Sequence, residues 1–384
     1  MRIGVPKEIK VQEYRVGLTP MGVKTLTGSG HEVTVEKDAG TAIGFSNDEY
    51  IQAGAKIDCV EKVFENELIV KVKEPQTQEI PLLKEGQTLF TYLHLAPDSV
   101  LTHALLERKI IGIAYETVTD DQGRLPLLIP MSEVAGRLSI QAGAEHLQKH
   151  HNGPGLLLGG VPGVNSANVV ILGGGVVGTQ AARMAMGLGA QVTIMDNNID
   201  RLRQLDDLYG PLLRTRYADS MSIETLMAAA DLVVGAVLTP GRQAAKLITR
   251  DMLSVMKSGS VLVDVAIDQG GCAETSQPTT HTEPTYQVDG VTHYCVANMP
   301  GAVARTSTLA LTNATLPYVQ ALADKGTIQA LRDDKQFSNG LNLYHGKVTY
   351  KAVAEDLNYT WYPIDEILGS PETKDFHLPM QHAS

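Results

Sequence analysis

The sequence predicts an α/β protein of two doubly wound domains, and three observations carry that prediction. Short β-branched runs alternate with helical stretches from Arg2 to Ala114, the rhythm of a parallel sheet. A second strand–turn–helix–strand unit, with a glycine-rich turn, begins at Asn168. Two long helical stretches, Ser132–His151 and Ala302–Lys325, flank that second region. A length of 384 residues leaves room for two cores.

Taken in order, Arg2–Val5 is short and apolar and reads as the first strand. Thr19 and Pro20 open a helix, Thr19 as N-cap and Pro20 where a missing N–H costs nothing. His31–Val35 alternates polar and apolar, the two-residue period of a strand. Leu68–Val72, Thr88–Leu93 and Ile110–Ala114 are further β-rich runs, with helical Val100–Glu107 before the last. Ser132–His151 reads as one helix stopped by Asn152-Gly153-Pro154-Gly155, and Gly159–Gly163 continues as loop. Strands then follow at Asn168–Leu172, Gln191–Met195, Asp231–Val237, Ser260–Ala266 and His293–Ala297. Ala302–Lys325 is the second long helix, bent where Pro317 removes a backbone donor. Residues 326–384 lack βαβ rhythm. The economical topology is a discontinuous domain, 1–130 and 306–384, with 131–305 inserted and two long helices joining them.

The inserted segment carries its own chemistry. Gly173-Gly174-Gly175-Val176-Val177-Gly178 lies between a strand and the helical run Thr179–Met186, and Asp196 closes the next strand. That arrangement is a Rossmann dinucleotide-binding domain. Gly173 permits the tight turn, Gly175 lets backbone approach a pyrophosphate, and Gly178 allows close helix–strand packing. The helix start around Val177 offers unpaired N–H groups to the phosphates. Asp196 accepts from a ribose diol and repels a 2′-phosphate, so the expected cofactor is NAD. Ser132 is a further candidate for the phosphates or ribose. Arg201 and Arg203 either join it or form an ordinary solvated helix face. Asn298 and Met299, after the last strand, are expected to line the nicotinamide pocket.

Composition narrows the function. A net charge of −11 argues against nucleic acid or an anionic membrane surface as partner. Three isolated cysteines, Cys59, Cys272 and Cys295, offer neither a disulfide framework nor a zinc site, so no metal is expected. Charges at Arg2, Lys7 and Glu8 occupy the place of a signal peptide's apolar core, and no apolar stretch is long enough to span a bilayer. The cytoplasm is the expected location.

In sheets of this kind ligands bind beyond the carboxyl ends of the strands. Lys73 follows the Leu68–Val72 run, His94 follows Thr88–Leu93, Tyr115 and Glu116 follow Ile110–Ala114, and Arg15 lies in the loop after the first strand. A lone lysine or histidine at a strand end is usually a solvated charge or a packed ring. Convergence of several on one sheet edge is what makes them candidates. Arg15 and Lys73 suit a carboxylate, and His94 suits proton exchange near neutrality. Asp268, after Ser260–Ala266, either faces the nicotinamide end of a cleft between the domains or caps its own glycine turn. Asp264 and Cys272 lie nearby without an evident task.

Several runs also resemble one family in order along the whole chain. They are Arg2–Glu8, Glu13–Pro20, Val70–Pro75, Tyr92–Leu95, Ala114–Val118, Val170–Gly178, Gly235–Gly241 and Asn298–Ser307. Together they resemble the bacterial L-alanine dehydrogenases. The resemblance implies reversible oxidative deamination of L-alanine to pyruvate and ammonia with NAD, in a homohexamer. It places substrate binding on Arg15 and Lys73 and acid–base chemistry on His94 or Asp268. A related branch, the NAD-binding subunit of the proton-pumping transhydrogenase, shares the two-domain plan but turns over no amino acid. Arg15, Lys73 and His94 occurring together favour the dehydrogenase. Saccharopine-type dehydrogenases are a more distant branch.

Overall fold

The computed structural model describes residues 1–237 and 244–369. Two compact units emerge, Met1–Pro130 with the described stretch from Val303 onward, and Met131–Ala302. The second crossing thus falls at 302/303, ahead of the helix Ala304–Lys325, rather than at 305/306 inside its first turn.

Six strands come first: β1 (Arg2–Val5), β2 (Glu32–Glu36), β3 (Lys56–Asp58), β4 (Leu68–Val70), β5 (Thr88–Thr91) and β6 (Ile111–Ala114). The second unit holds β7 (Asn168–Leu172), β8 (Gln191–Asp196), β9 (Leu213–Tyr217), β10 (Leu232–Gly235), β11 (Val261–Asp264), β12 (Thr285–Val288) and β13 (Val291–Tyr294). The chain then adds β14 (Leu341–Tyr344) and β15 (Lys347–Val348) to the first.

The first sheet runs β15-β14-β6-β5-β4-β1-β2-β3, parallel from β6 to β3, with β14 and β15 antiparallel at one edge. The second runs β12-β13-β11-β10-β7-β8-β9, parallel except for β12. Both share one parallel winding: two parallel strands are added on one side of the first, then three on the other, with the antiparallel strands beyond them. Each sheet therefore has a switch point, β1/β4 in one and β7/β10 in the other. There successive loops part and leave a crevice beyond the strand ends. The central strands β4, β5, β6, β10 and β11 are buried at every residue, so they are mostly apolar, with polar residues only at the ends of β5 and β11, rather than alternating.

Strand ends fall short of the hydrophobic runs, for a local reason each time. β4 stops at Val70 and β5 at Thr91, yet pairing continues irregularly past both. Lys71 N–H donates to the Phe90 carbonyl at 3.2 Å, Tyr92 N–H to Val72 at 3.3 Å, and the Thr91 hydroxyl to the Lys73 carbonyl at 2.9 Å. β11 ends at Asp264, whose carboxylate accepts the Ala266 N–H at 3.0 Å and starts the 3-10 turn Val265–Gln269. The first long helix spans Ile129–His146, not Ser132–His151. The amides of Gly153 and Gly155 fold back onto the Gln148 and Leu147 carbonyls, and Lys149–His151 becomes a separate 3-10 turn. The second begins at Ala304, after the 3-10 turn Met299–Val303, and contains Pro317. The edge strands β3, β9 and β12 are too polar or too short to stand out in the sequence.

The tightest packing lies where β7 turns into the helix Val176–Gly187. Gly173 has φ of 104°, a backbone conformation that an L side chain strains to adopt. A Cβ on Gly178 would sit 1.8 Å from the Gly173 carbonyl oxygen. Gly178→Ala should therefore lower the unfolding free energy by roughly 1–3 kcal/mol, the usual overpacking cost. Urea unfolding measures it, and an unchanged midpoint would contradict the close approach.

Candidate active site

In the first unit, the loops after β1 and β4 bring charges to the switch point. Lys71 is fully buried, its ammonium 3.2 Å from Glu8 and 2.6 Å from Glu79. Burial works against the cation, but the two carboxylates overcome it and hold Lys71 charged, above its ordinary range. The second oxygen of Glu8 accepts the Val72 and Lys73 amides at 2.6 and 3.2 Å. One side chain from the first loop thereby fixes the backbone of the second. Tyr115, at the end of β6, donates its hydroxyl to the Lys71 carbonyl at 3.0 Å.

The two expected carboxylate binders differ. Arg15 is 2 % exposed, and Glu13 engages it through Nε, at 2.7 Å, and Nη2. Burial disfavours both charges, but their mutual hydrogen bonds prevail, raising the pKa of Arg15 and lowering that of Glu13. Lys73 is half-buried, and no hydrogen bond or ion pair engages its ammonium among the described residues. Desolvation, reinforced by the nearby Arg15 charge, pushes its pKa below the ordinary lysine value.

His94 is held from two sides. Its φ of 49° is uncommon for a side chain with a Cβ. Glu116 stabilises that turn by accepting the His94 amide at 2.6 Å and the Leu93 amide at 3.0 Å. The ring Nδ1 lies 3.1 Å from Glu74, which is also paired with Lys10. Burial would raise the Glu74 pKa, but His94 and Lys10 pull it well below the usual carboxylate range. The Tyr92 ring lies 5.9 Å from the imidazole, and its hydroxyl donates to the Leu127 carbonyl at 2.6 Å. Sequence reading singled out Arg15, Lys73 and His94 but assigned nothing to Glu8, Glu13 and Glu74. Their sequence signal is only an excess of acid between the basic residues of two loops.

In the second unit, the glycine turn follows β7. Nothing lies within 4 Å of a Cβ built on Gly175, so the turn is open where a pyrophosphate would approach. The residues suit a dinucleotide: an open backbone, a helix start at Val176, and a carboxylate beside them. Val177 is half-buried and packs on the core beneath that start. Asp196 accepts the Gly174 amide at 2.7 Å through one oxygen and the Asn198 amide at 2.8 Å through the other. Arg201 is committed to the turn, donating to the Gly174 carbonyl and the Thr179 hydroxyl, both at 2.7 Å. Arg203 pairs with Asp200 at 2.7 Å on an exposed helix face. Ser132 is half-buried in the first turn of the helix Ile129–His146.

Asp268 stands in the 3-10 turn after β11, four residues beyond the strand end rather than at it. It is exposed and accepts the Asn298 amide at 3.3 Å, so these two candidates are brought together. Met299, expected beside the cofactor, is 2 % exposed and its side chain belongs to the core. Asp264 proves to be the anchor of the turn. It is fully buried and accepts the amides of Ala266 and Cys272, at 3.0 and 2.7 Å, and the Ser276 hydroxyl. Burial, with Asp264 adding to it, pushes the Cys272 thiol well up, so that thiol is inert. Part of the Gly235–Gly241 run, from 238 on, lies outside the described residues. Among the described residues no cluster of His, Cys, Asp or Glu is arranged to hold a metal, and no helix is long and apolar enough to cross a membrane.

Two measurements test these assignments. Arg201 is engaged by the turn and Arg203 by Asp200, so neither is placed to accept a 2′-phosphate. Discrimination against NADP should rest on Asp196 alone: Asp196→Ala narrows the kcat/KM gap between cofactors, and Arg203→Ala leaves it within about twofold. Equal values for the two cofactors in the unmodified chain would end the Asp196 argument. The second concerns Lys73. Its charged form is disfavoured in the fold, so protonated Lys73 lowers stability, and stability rises with pH between its depressed pKa and the ordinary value of about 10.4. Lys73→Met should unfold at the same or a higher temperature at neutral pH. A lower melting temperature would mean that Lys73 makes a stabilising pair.

Comparison with known proteins agrees with this architecture. The family model described as alanine dehydrogenase/PNT, N-terminal domain, matches residues 4–135, and that of the C-terminal domain matches 139–351. The alanine dehydrogenase of Halomonas elongata is 58% identical over 371 residues, covering 96% of this chain and 100% of that protein. Alanine dehydrogenase 2 of Staphylococcus aureus is 54% identical over 370 residues, with 96% and 100% covered. A solved L-alanine dehydrogenase superposes with a TM-score of 0.91 at 52% identity, covering 93% of this chain and 99% of its own. A transhydrogenase from Sinorhizobium meliloti, at 23% identity and a TM-score of 0.80, shares the fold, with 91% and 100% covered. With two winding-related sheets, an open glycine turn and both halves matched in order, this chain belongs to the alanine dehydrogenase/PNT family.

Proposed function

We propose that the chain catalyses the reversible, NAD-dependent oxidative deamination of L-alanine to pyruvate and ammonia. The observation that carries the reading is the edge of the first sheet. There a partly desolvated ammonium without a partner among the described residues, Lys73, lies near Arg15, with His94 on the adjoining strand end. The full-length identity to alanine dehydrogenases supports it.

Lys73 and Arg15 bind the substrate carboxylate. The cost of desolvating Lys73 is already met in the fold, so an arriving carboxylate gains more there than at a hydrated lysine. NAD, held by the turn Gly173–Gly178 and by Asp196, supplies the hydride acceptor when bound. His94 carries the protons. Its Nε2 takes one from the alanine ammonium, which frees the nitrogen lone pair, and passes that proton to solvent. It then takes one from the water that adds to the oxidised carbon and returns it to the carbinolamine nitrogen, whose hydroxyl proton goes to solvent as ammonia leaves. Asp268 with Asn298 orients the nicotinamide side. Ser132 adds a contact to the cofactor. The remaining features follow the resemblance and the composition: a homohexamer, in the cytoplasm, with no nucleic acid or membrane partner. The alternative, an NAD-binding subunit without turnover, has fold likeness behind it and no residue of its own.

NADH absorbance decides between them: L-alanine with NAD should produce NADH, and pyruvate with ammonium should consume it. NADH binding without turnover in either direction would establish the alternative. His94→Ala should keep NADH affinity and lose at least ~100-fold in kcat. Asp268→Asn should retain more turnover than His94→Ala, and the reverse order would move the base to Asp268. Pyruvate binding needs Lys73 protonated, so KM for pyruvate should climb at alkaline pH, starting below the ordinary lysine range. Lys73→Met should raise it ~30-fold or more at neutral pH, about 2 kcal/mol of lost charge pairing. A KM unchanged in Lys73→Met would remove it from the site.

A further inference from the structure

We infer that Glu74 is a positioning residue for His94, forming a carboxylate–imidazole dyad that presents Nε2 to the substrate. The inference rests on the reading of His94 as the proton carrier and deepens it. The backbone of His94 is already held by Glu116 through two consecutive amides, in a left-handed turn that the chain would not favour unaided. That pins the Cα but leaves the ring free about two torsions. Glu74, at 3.1 Å from Nδ1, removes that freedom. An acceptor-only carboxylate at Nδ1 requires that nitrogen to carry the hydrogen, which leaves the lone pair on Nε2. No other group engages Nε2 among the described residues, and the ring is 44 % exposed on that side chain.

Glu74 is suited to the task because it is itself held. Lys10 reaches it from the loop after β1, and the next residue, Pro75, constrains the backbone. Its largely buried carboxylate therefore remains ionised and fixed. When His94 accepts a proton, the adjacent negative charge of Glu74 stabilises the imidazolium. No atom is transferred to Glu74. Its action is orientation and charge.

The test is a double-mutant cycle on the full chain, with kcat, pyruvate KM and NADH affinity read for each variant. Glu74→Gln keeps the shape but can present an amide N–H to Nδ1, which favours the wrong tautomer. It should lose roughly ten- to hundredfold in kcat, the scale seen when carboxylates that orient metal-bound imidazoles are removed. NADH affinity should stay within about twofold, since the cofactor is not touched. In the His94→Ala background the same change should cost nothing further, because there is no ring left to orient. Glu74→Asp should recover part of the rate lost in Glu74→Gln, and it keeps the question answerable if the Gln variant folds poorly. Full kcat in Glu74→Gln with a large loss in His94→Ala would overturn the inference while sparing the reading of His94. An equal, additive loss in both backgrounds would overturn it as well, by showing that Glu74 acts elsewhere. Full kcat in His94→Ala would instead remove the reading on which it stands.

Discussion

A lysine ammonium with no exposed surface, set between two carboxylates, is the constraint on which the charged edge of the first unit depends. Lys71 leaves the sheet at the end of β4 and finds Glu79 on its own loop and Glu8 on the loop after β1. Buried ion sets of this kind contribute little net stability compared with apolar packing, but removal of one member costs several kcal/mol. They specify geometry. Here the specification is that two loops flanking a switch point, otherwise free to part, share one position. Glu8 takes the amides of Val72 and Lys73, and the place of Lys73 and Glu74 follows from that. Glu116 does the same one strand further on, carrying the end of β6 to the backbone of His94. Four loops are thus tied in two pairs by carboxylates accepting backbone N–H groups.

The second unit uses the same device. Asp196 accepts one amide from the glycine turn and one from its own loop, and Asp264 accepts two amides and a hydroxyl around the turn that carries Asp268. A carboxylate accepts several hydrogen bonds and donates none, so it suits loops whose N–H groups have lost their sheet partners. What remains uncommitted among the described residues is therefore informative. At the charged edge after β4 and β5 this includes the Lys73 ammonium and one nitrogen of His94. A binding cation and a proton carrier are what an amino or keto acid requires.

Much of this was legible in the sequence because it is local. The glycine spacing, the acidic residue closing β8 and the charges after β1, β4 and β5 all lie within a few residues of the strand they follow. The illegible part is non-local. Glu8 and Val72 are joined across 64 positions, and His94 and Glu116 across 22, with no periodicity to connect them. Arg201 and Arg203 look alike in sequence, yet one face of the helix turns Arg201 onto the glycine turn and the other leaves Arg203 to Asp200. Met299 follows a strand end as a pocket residue would, but a buried thioether belongs to the core. Helix and strand ends were overrun wherever hydrophobicity continued past the last regular hydrogen bond, as at Val72, Ala266 and Leu147. A side-chain or turn hydrogen bond decided each of those boundaries.

We propose that the first sheet's edge receives the substrate carboxylate on Lys73 with the reacting carbon beside His94. A crystal structure of the chain with NADH and pyruvate tests it most directly. The predicted result is a carboxylate oxygen within hydrogen-bond distance of Lys73 Nζ, and the keto group within reach of His94 Nε2 with Nδ1 still on Glu74. Pyruvate bound with its carboxylate away from Lys73, or a His94 ring turned from Glu74 in the complex, would contradict it.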